Sequence, residues 1–592
     1  MLLLSHDTAP LEDSNKKEEF ALRCWMFISF LLSCHRMNRI AVTLEDGRST
    51  ECPAGIQVGS LTASPIADSG LPYIAALVNN DLCSLSYPLT VNSEVKFLTM
   101  ADSHGWRVYR CSLCFLLAKT IKELYPEARF SVEHSFGSGL YCSFYQGPSD
   151  GNGIACEQMD RIESRMRELV KQNIPIERRK ISFTDAVRQF EKSEQKDKLN
   201  LLKYRNPPRV VIHWCGDFSD LAHGPLVPKT GVLTHFKLIH YEPGFVLHLP
   251  DRSKPREIPP FEDQPHLFRI FQEHKEWGRI LGVNTVGRLN EIIANGEIED
   301  LIRTTEALHE KKLAQIADQI SEARDKIKLI LIAGPSCAGK TTFGKRLSIH
   351  LTVNGLRPIM ISTDNYFVGP EETPRDENGN FDYEHIEAVD LELFNEHLLK
   401  LIEGKEIELP HFNFEAKQRE YRGDKLRMDV NQMIMIEGIH GLNPRLTRMI
   451  PPEREFKIYV NALTQLNVDA NNRISTTDNR LMRRMVRDRK FRGHSALATL
   501  RFWASVRRGE KTWVFPFQRQ ANATFNSALD YELAVLKPLV EPLLMQIKPA
   551  DTEYVEARRL SEFLLNFLGI SDRPVPRSSI LREYIGGSSF HY

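Results

Sequence analysis

The stretch LILIAGPSCAGKTTFGKRL, residues 329–347, passes from an unbroken aliphatic run into glycines and ends in a Gly-Lys-Thr-Thr segment followed by helix-forming residues. Gly334, Gly339, Lys340 and Thr341 fit the pattern G-x-x-x-x-G-K-[ST]. Glycines let a backbone turn its N–H groups onto phosphate oxygens. The helix expected next presents its positive end to the same anion, so Ser336 and Thr342 join the phosphate-binding set. Lys340 can reach the β- and γ-phosphates of a nucleotide such as ATP. The Thr341 hydroxyl can hold Mg²⁺, which prefers oxygen ligands. The bland alternative is a chance glycine turn, but a buried strand before the loop and a helix after it are the context a phosphate cradle needs.

Outward from the loop, KLILIAG, RPIMIST, QMIMIEG and FKIYV read as buried strands separated by helical stretches. That alternation predicts an α/β domain over about 326–575, a doubly wound parallel sheet with helices on both faces. Asp364 falls just past the strand in RPIMISTDNYFV, where ligands gather in such sheets. A carboxylate there can take the proton of an attacking hydroxyl, or simply cap a turn. Glu437 ends the strand in QMIMIEGIHGL and can serve a metal directly or through water, or form a structural ion pair. In NRLMRRMVRDRKFRG, Arg480, Arg483, Arg484 and Arg487 recur at helical spacing. Such a row can close over a transferring phosphoryl group or be a solvated basic face.

The rest of the 592-residue chain is long enough for several domains. Lys plus Arg equals Asp plus Glu at 77 each, so bulk charge argues for neither nucleic acid nor membrane. All ten cysteines lie at or before Cys337, which does not fit a secreted disulfide framework and points to a reducing, cytoplasmic setting. WMFISFLLSC, from Trp25, is too short to span a bilayer and lacks a basic leader; residues 1–37 read as an extension, with Met37 a candidate start. RIAVTLEDGRSTECPAG, from Arg39, alternates about a turn at Asp46-Gly47 and opens a β-rich module over 38–100. CSLCFLLAKTIKELYP, from Cys111, has helical spacing within a mixed α+β segment over 101–265. The proline- and charge-rich 251–265 marks its end. A helical stretch over 266–325, including a long pattern from Glu299, is either a connector or an ordinary packed helix. Residues 576–592 read as a tail.

ISTDNYFV, NFDYEHIEAVD, MIEGIHGL and RLMRRMVRD, in this order, resemble the uridine kinase and phosphoribulokinase family over roughly 325–550. The resemblance implies ATP as donor, with Mg²⁺. It implies Asp364 as the base on a sugar 5′-hydroxyl and Lys340 as the stabilising cation. Asp382 would bind ribose hydroxyls, Glu437 would serve Mg²⁺, and Arg480, Arg484 and Arg487 would belong to the lid over ATP. In LPHFNFEAKQR, from Leu409, Phe412 and Lys417 stand where the family places a base-reading tyrosine and histidine. Phe412 can stack on a base but not donate a hydrogen bond, and Lys417 only donates, so base discrimination should change.

The β-rich module is similar to the TGS domain, a β-grasp fold. LTMADSHGWRVYRCSLCFLLAKTIKELYPEARF, SGLYCSFY and CGDFSDLAHGPLVPKTG resemble the editing domain of threonyl-tRNA synthetase, over about 38–240 in all. The metal-like positions of that family fall here on Cys111, Phe115, Ala222 and Leu226. Phe, Ala and Leu cannot ligate zinc, so no zinc is expected and core packing suits Phe115 and Leu226. Cys111 and Cys114 form a single C-x-x-C, weak evidence for metal or redox work. The expected function is transfer of the ATP γ-phosphoryl to the 5′-hydroxyl of a uridine- or cytidine-like nucleoside, with a front half that binds RNA or a protein, or docks on the kinase. The alternatives are a nucleotide-binding regulatory or RNA-binding protein, and a sugar-phosphate kinase.

Overall fold

The strand Leu329–Ala333 is buried along its whole length, and its side chains divide between two interiors. Ile330 and Ile332 enter one apolar core, whereas Leu329 and Leu331 enter another. Alternate residues of a strand point to opposite faces, so an unbroken aliphatic run requires both faces to be covered. In this computed structural model, which describes residues 39–146, 153–377, 379–413, 416–429 and 432–591, Leu329–Ala333 is the middle of a five-stranded sheet. The spatial order is Ile359–Ser362, Ile434–Glu437, Leu329–Ala333, Glu455–Asn461, Ala523–Asn526, with every pair parallel. The doubly wound parallel sheet read from the sequence is present, with one more strand, Ala523–Asn526, than the sequence reading names. The extension over residues 1–37 and the candidate start at Met37 lie outside the described residues.

The front module is a separate five-stranded sheet in which Arg39–Leu44 pairs antiparallel with Ser49–Pro53. Their hairpin turns where Asp46-Gly47 predicts it, and the Gly47 amide donates to the Leu44 carbonyl at 2.9 Å. Next, the helix Ser103–Leu124 packs on the antiparallel sheet formed by Arg129–Phe136, Gly139–Tyr145, Lys237–Tyr241 and Gly244–His248. Phe115 and Leu226 lie inside this core, with the Phe115 ring 5.2 Å from that of Phe218 in an edge contact. Among the described residues no helix is long and apolar enough to cross a membrane.

Packing crosses two of the boundaries drawn from sequence. The long helix is Ile298–Glu322; its Leu301, Ile302, Leu313, Ile316 and Ile320 enter the same core as Ile330, so it is a packed layer rather than a bare connector. Residues 576–592 are read as a tail, but the described part, 576–591, folds back: Ile580, Leu581, Tyr584 and Ile585 are buried in that core too. The four lie about a single helical turn, Arg582–Ile585, too short a run for its periodicity to betray this in the sequence.

The halves are also locked by ions. The hairpin Asn467–Asp469 with Asn472–Arg473 leaves the kinase-like half and seats in the front half. The Val132 amide donates to the Ala470 carbonyl at 2.9 Å, and Asn467 Nδ2 donates to the Val132 carbonyl at 3.1 Å. Beneath it the fully buried Lys198 ammonium meets Asp469 at 2.5 Å and Asp220 at 3.1 Å. His223 Nε2 reaches the other Asp469 oxygen at 3.0 Å. Burial opposes the charge of Lys198, but Asp197, Asp220 and Asp469 outweigh it and hold its pKa above the ordinary value.

Candidate active site

The glycine loop begins where Leu329–Ala333 ends, and its neighbours end at the same level. Glu437 is in register with Ile332 on one side and Ser362 on the other. The carboxyl edge of the sheet therefore carries the loop, Glu437 and, two residues past Ser362, Asp364. This is the crevice at which open α/β sheets bind ligands. Gly334 has no room for a side chain: a Cβ there would stand 2.0 Å from the Val460 carbonyl oxygen. Gly339 holds φ at +83°, in the left-handed region, immediately before the helix Lys340–Val353.

The charges converge. Burial pushes the Glu437 carboxyl up to about 7, while Lys340 pulls it down, Asp364 and Glu583 add to the rise, and a hydrogen bond with the Thr341 hydroxyl lowers it. Glu384 is likewise pushed up to about 7 by burial and then by Glu510 and Asp364, with Arg484 and Lys340 opposing. Lys340 and Asp364 thus act on the same two carboxyls. Lys340 Nζ lies 3.5 Å from the Pro335 carbonyl, folded over its own loop. Thr341 and Glu437 offer one hydroxyl and one carboxylate. That donor set suits Mg²⁺, which takes one or two protein oxygens beside phosphate and water.

The helix Thr476–Phe491 lies directly on the loop. Arg480 Nη1 donates to the Ser336 carbonyl at 3.0 Å, Arg484 Nη1 to Ser336 Oγ at 3.0 Å, and Arg483 Nη1 to the Cys337 carbonyl at 3.3 Å. Arg480 is buried and paired with Glu510 at 2.5 Å, and the same Glu510 oxygen accepts the Ser336 amide at 2.9 Å. Arg484 and Arg487 share Asp488, at 3.1 and 2.8 Å. Arg480, Arg483 and Arg484 therefore lie against the glycine loop, and each arginine of the row has an acidic partner, Glu532 being that of Arg483.

The acceptor side is more dispersed. Asp382 Oδ1 accepts the Glu384 amide at 3.2 Å, in a segment held to the helix Ala496–Trp513 by Arg508–Asp376 at 2.7 Å and by the His385 ring 4.4 Å from Trp513. Phe412 is buried with its ring 5.5 Å from Phe367, while Lys417 is exposed at the far end of the same hairpin with φ +53°. The hairpin places Phe412 and Lys417 in different surroundings. Sequence reasoning missed Glu384, Glu510 and Glu583; Glu384 lies within NFDYEHIEAVD, two residues past Asp382, and could have been singled out there, whereas Glu510 and Glu583 have no motif of their own.

A glycine loop on the middle strand of a parallel sheet, with acids at the neighbouring strand ends, defines a P-loop α/β domain. Residues 329–534 match the phosphoribulokinase / uridine kinase family. The N-terminal region matches threonine–tRNA ligases. It is 32% identical over 202 residues to that of Geobacter sp. (34% of this chain, 31% of the relative), and 33% over 204 residues to that of Thermotoga maritima (34% and 30%). The chain thus spans about a third of the length of these curated relatives. Similar solved structures include a possible uridine kinase from Bacillus stearothermophilus (18% identity, TM-score 0.23, 34% of this chain and 89% of that one). A D-glycerate 3-kinase from Cryptococcus neoformans is another (12%, TM-score 0.21, 43% and 87%).

Proposed function

We propose that the C-terminal half is an ATP- and Mg²⁺-dependent kinase that phosphorylates the 5′-hydroxyl of a uridine- or cytidine-like nucleoside. The observation that carries this reading is the convergence of the glycine loop, Glu437 and Asp364 at the carboxyl edge of one parallel sheet, where Lys340 and Asp364 both bear on the Glu437 carboxyl. The loop amides and Lys340 would hold the triphosphate, and Lys340 would offset charge developing on the transferring group. Asp364 would accept the hydroxyl proton, and Asp382 would orient the sugar. Thr341 and Glu437 would hold Mg²⁺, which when bound neutralises charge on the β- and γ-phosphate oxygens. Phe412 would supply a stacking face for a base. The front half would be a binding or regulatory region, with a TGS-like module and a synthetase-like module meeting RNA or a protein, in the cytoplasm.

A second reading has its own support. Glu510 and Glu583 already accept the Ser336 and Thr342 amides, which suits a nucleotide-responsive regulator with little turnover. A third, a sugar-phosphate kinase, shares the family. The test is a panel of nucleosides and sugar phosphates with ATP and Mg²⁺, read by mass spectrometry, on the wild type and Asp364→Asn. We expect one nucleoside to gain a phosphoryl group, and Asp364→Asn to bind ATP normally yet lose at least about 100-fold in rate. A product from sugar phosphates alone would select the third reading. No product from any acceptor, with ATP still bound, would select the second. Full activity of Asp364→Asn would remove it from the role of base.

A further inference from the structure

The P-loop helix Lys340–Val353 meets a carboxylate from the far end of the chain. Glu583 Oε2 accepts the Thr342 hydroxyl at 2.6 Å and the Thr342 amide at 3.3 Å. That amide belongs to the first turn of the helix, whose N–H groups make no bond within the helix and so donate outward, here to the Glu583 carboxylate. The segment carrying Glu583 is fastened on both sides. Lys490 Nζ, on the arginine helix, donates to the Ile585 carbonyl at 2.6 Å, and Lys345 Nζ, on the P-loop helix, donates to the His591 carbonyl. Tyr584 is fully buried with the Arg483 guanidinium 5.2 Å from its ring centre, and its hydroxyl has no hydrogen-bond partner among the described residues. Ile580 presses on the loop itself: a Cβ built on Gly339 would lie 2.5 Å from Ile580 Cγ2 and 3.4 Å from the Tyr584 hydroxyl. Arg582 braces the segment internally through the Val575 carbonyl at 2.7 Å and Asp572 at 3.0 Å.

We infer that residues 577–591 form an autoinhibitory strap, in which Glu583 occupies the anion position at the first turn of the P-loop helix and excludes the nucleotide's phosphates until the strap lifts. The inference rests on reading the loop as a triphosphate cradle, and on nothing about the acceptor. One helix N-terminus cannot take a carboxylate and a phosphate on the same amide and hydroxyl, because the two anions would overlap. The fastening points explain why the strap is held: lysines of the two helices that flank the loop donate to carbonyls of the strap. ATP and the strap are competitors, so ATP binding must loosen residues 577–591, and weakening the strap must tighten ATP.

The test uses the full chain. Glu583→Gln keeps an oxygen that can accept from Thr342 but removes the charge. By titration calorimetry with ATP and Mg²⁺ it should bind about five- to tenfold more tightly than wild type, the difference between a charged and a neutral hydrogen-bond competitor. In parallel, hydrogen exchange of the wild-type chain should show the amides of 577–591 losing protection on addition of saturating ATP. Unchanged ATP affinity in Glu583→Gln would make Glu583 a structural cap and overturn the strap, as would unchanged protection of 577–591 in a chain that binds ATP. If no form binds ATP, both the competition and the cradle fall; equal binding by both forms removes the competition alone.

Discussion

Lys340 acts on both half-buried glutamates of the crevice, Glu384 and Glu437, and also stands at the start of the helix that follows the glycine loop. Removing it takes away a charge where charge develops. We expect Lys340→Ala to lose about 100- to 1000-fold in phosphoryl transfer, measured with the acceptor found by the panel. A rate within threefold of wild type would move the transferring group away from this loop. The residue scale is also where the sequence was most legible. Gly334, Gly339, Lys340, Thr341, Asp364 and Glu437 follow one another along local runs, each at a strand end or in a fixed motif. Glu583 was not legible, because its partner Thr342 is 241 positions away and nothing near Glu583 marks it.

Between residue and molecule, the hairpin Asn467–Arg473 joins the two halves through Lys198. A buried ammonium among three carboxylates is costly to break, since removing it leaves the buried Asp469 and Asp220 charges without the cation between them. We expect Lys198→Met to lose about 3–5 kcal/mol of stability in urea denaturation. Adding Asp469→Asn to it should recover part of that loss. A single variant within 1 kcal/mol of wild type would mean that the network does not hold the halves together. Four of the five strands of the parallel sheet could be read from their aliphatic runs, but not Ala523–Asn526, whose ATFN is short and half polar, and the front hairpin could be read from its alternation about Asp46-Gly47. The Asn467–Arg473 hairpin could not, because it is short, polar and stabilised by residues up to 335 positions away.

Across the whole molecule, buried neutral histidines tie stability to pH. Burial, then Arg178, lowers His213 to about 3; burial, then Arg473, lowers His134 to about 3. In the unfolded chain each titrates near 6.5. Between these values the unfolded chain takes up protons that the folded chain refuses, so stability is complete above about pH 6.5 and falls as the pH drops toward 3. Each histidine should account for roughly 2 kcal/mol lost between pH 7 and pH 5, and His213→Leu should flatten its share. Urea midpoints that do not move over that range would contradict neutral burial. The same large core has a consequence for dividing the chain. Leu313, Ile316 and Ile320 lie ahead of residue 326, and Ile580 and Tyr584 lie behind residue 575, yet all are buried with the central strand. A fragment trimmed to 326–575 would lose the apolar cover of its core at both ends, and a module cut to those limits would expose that core and precipitate rather than work alone.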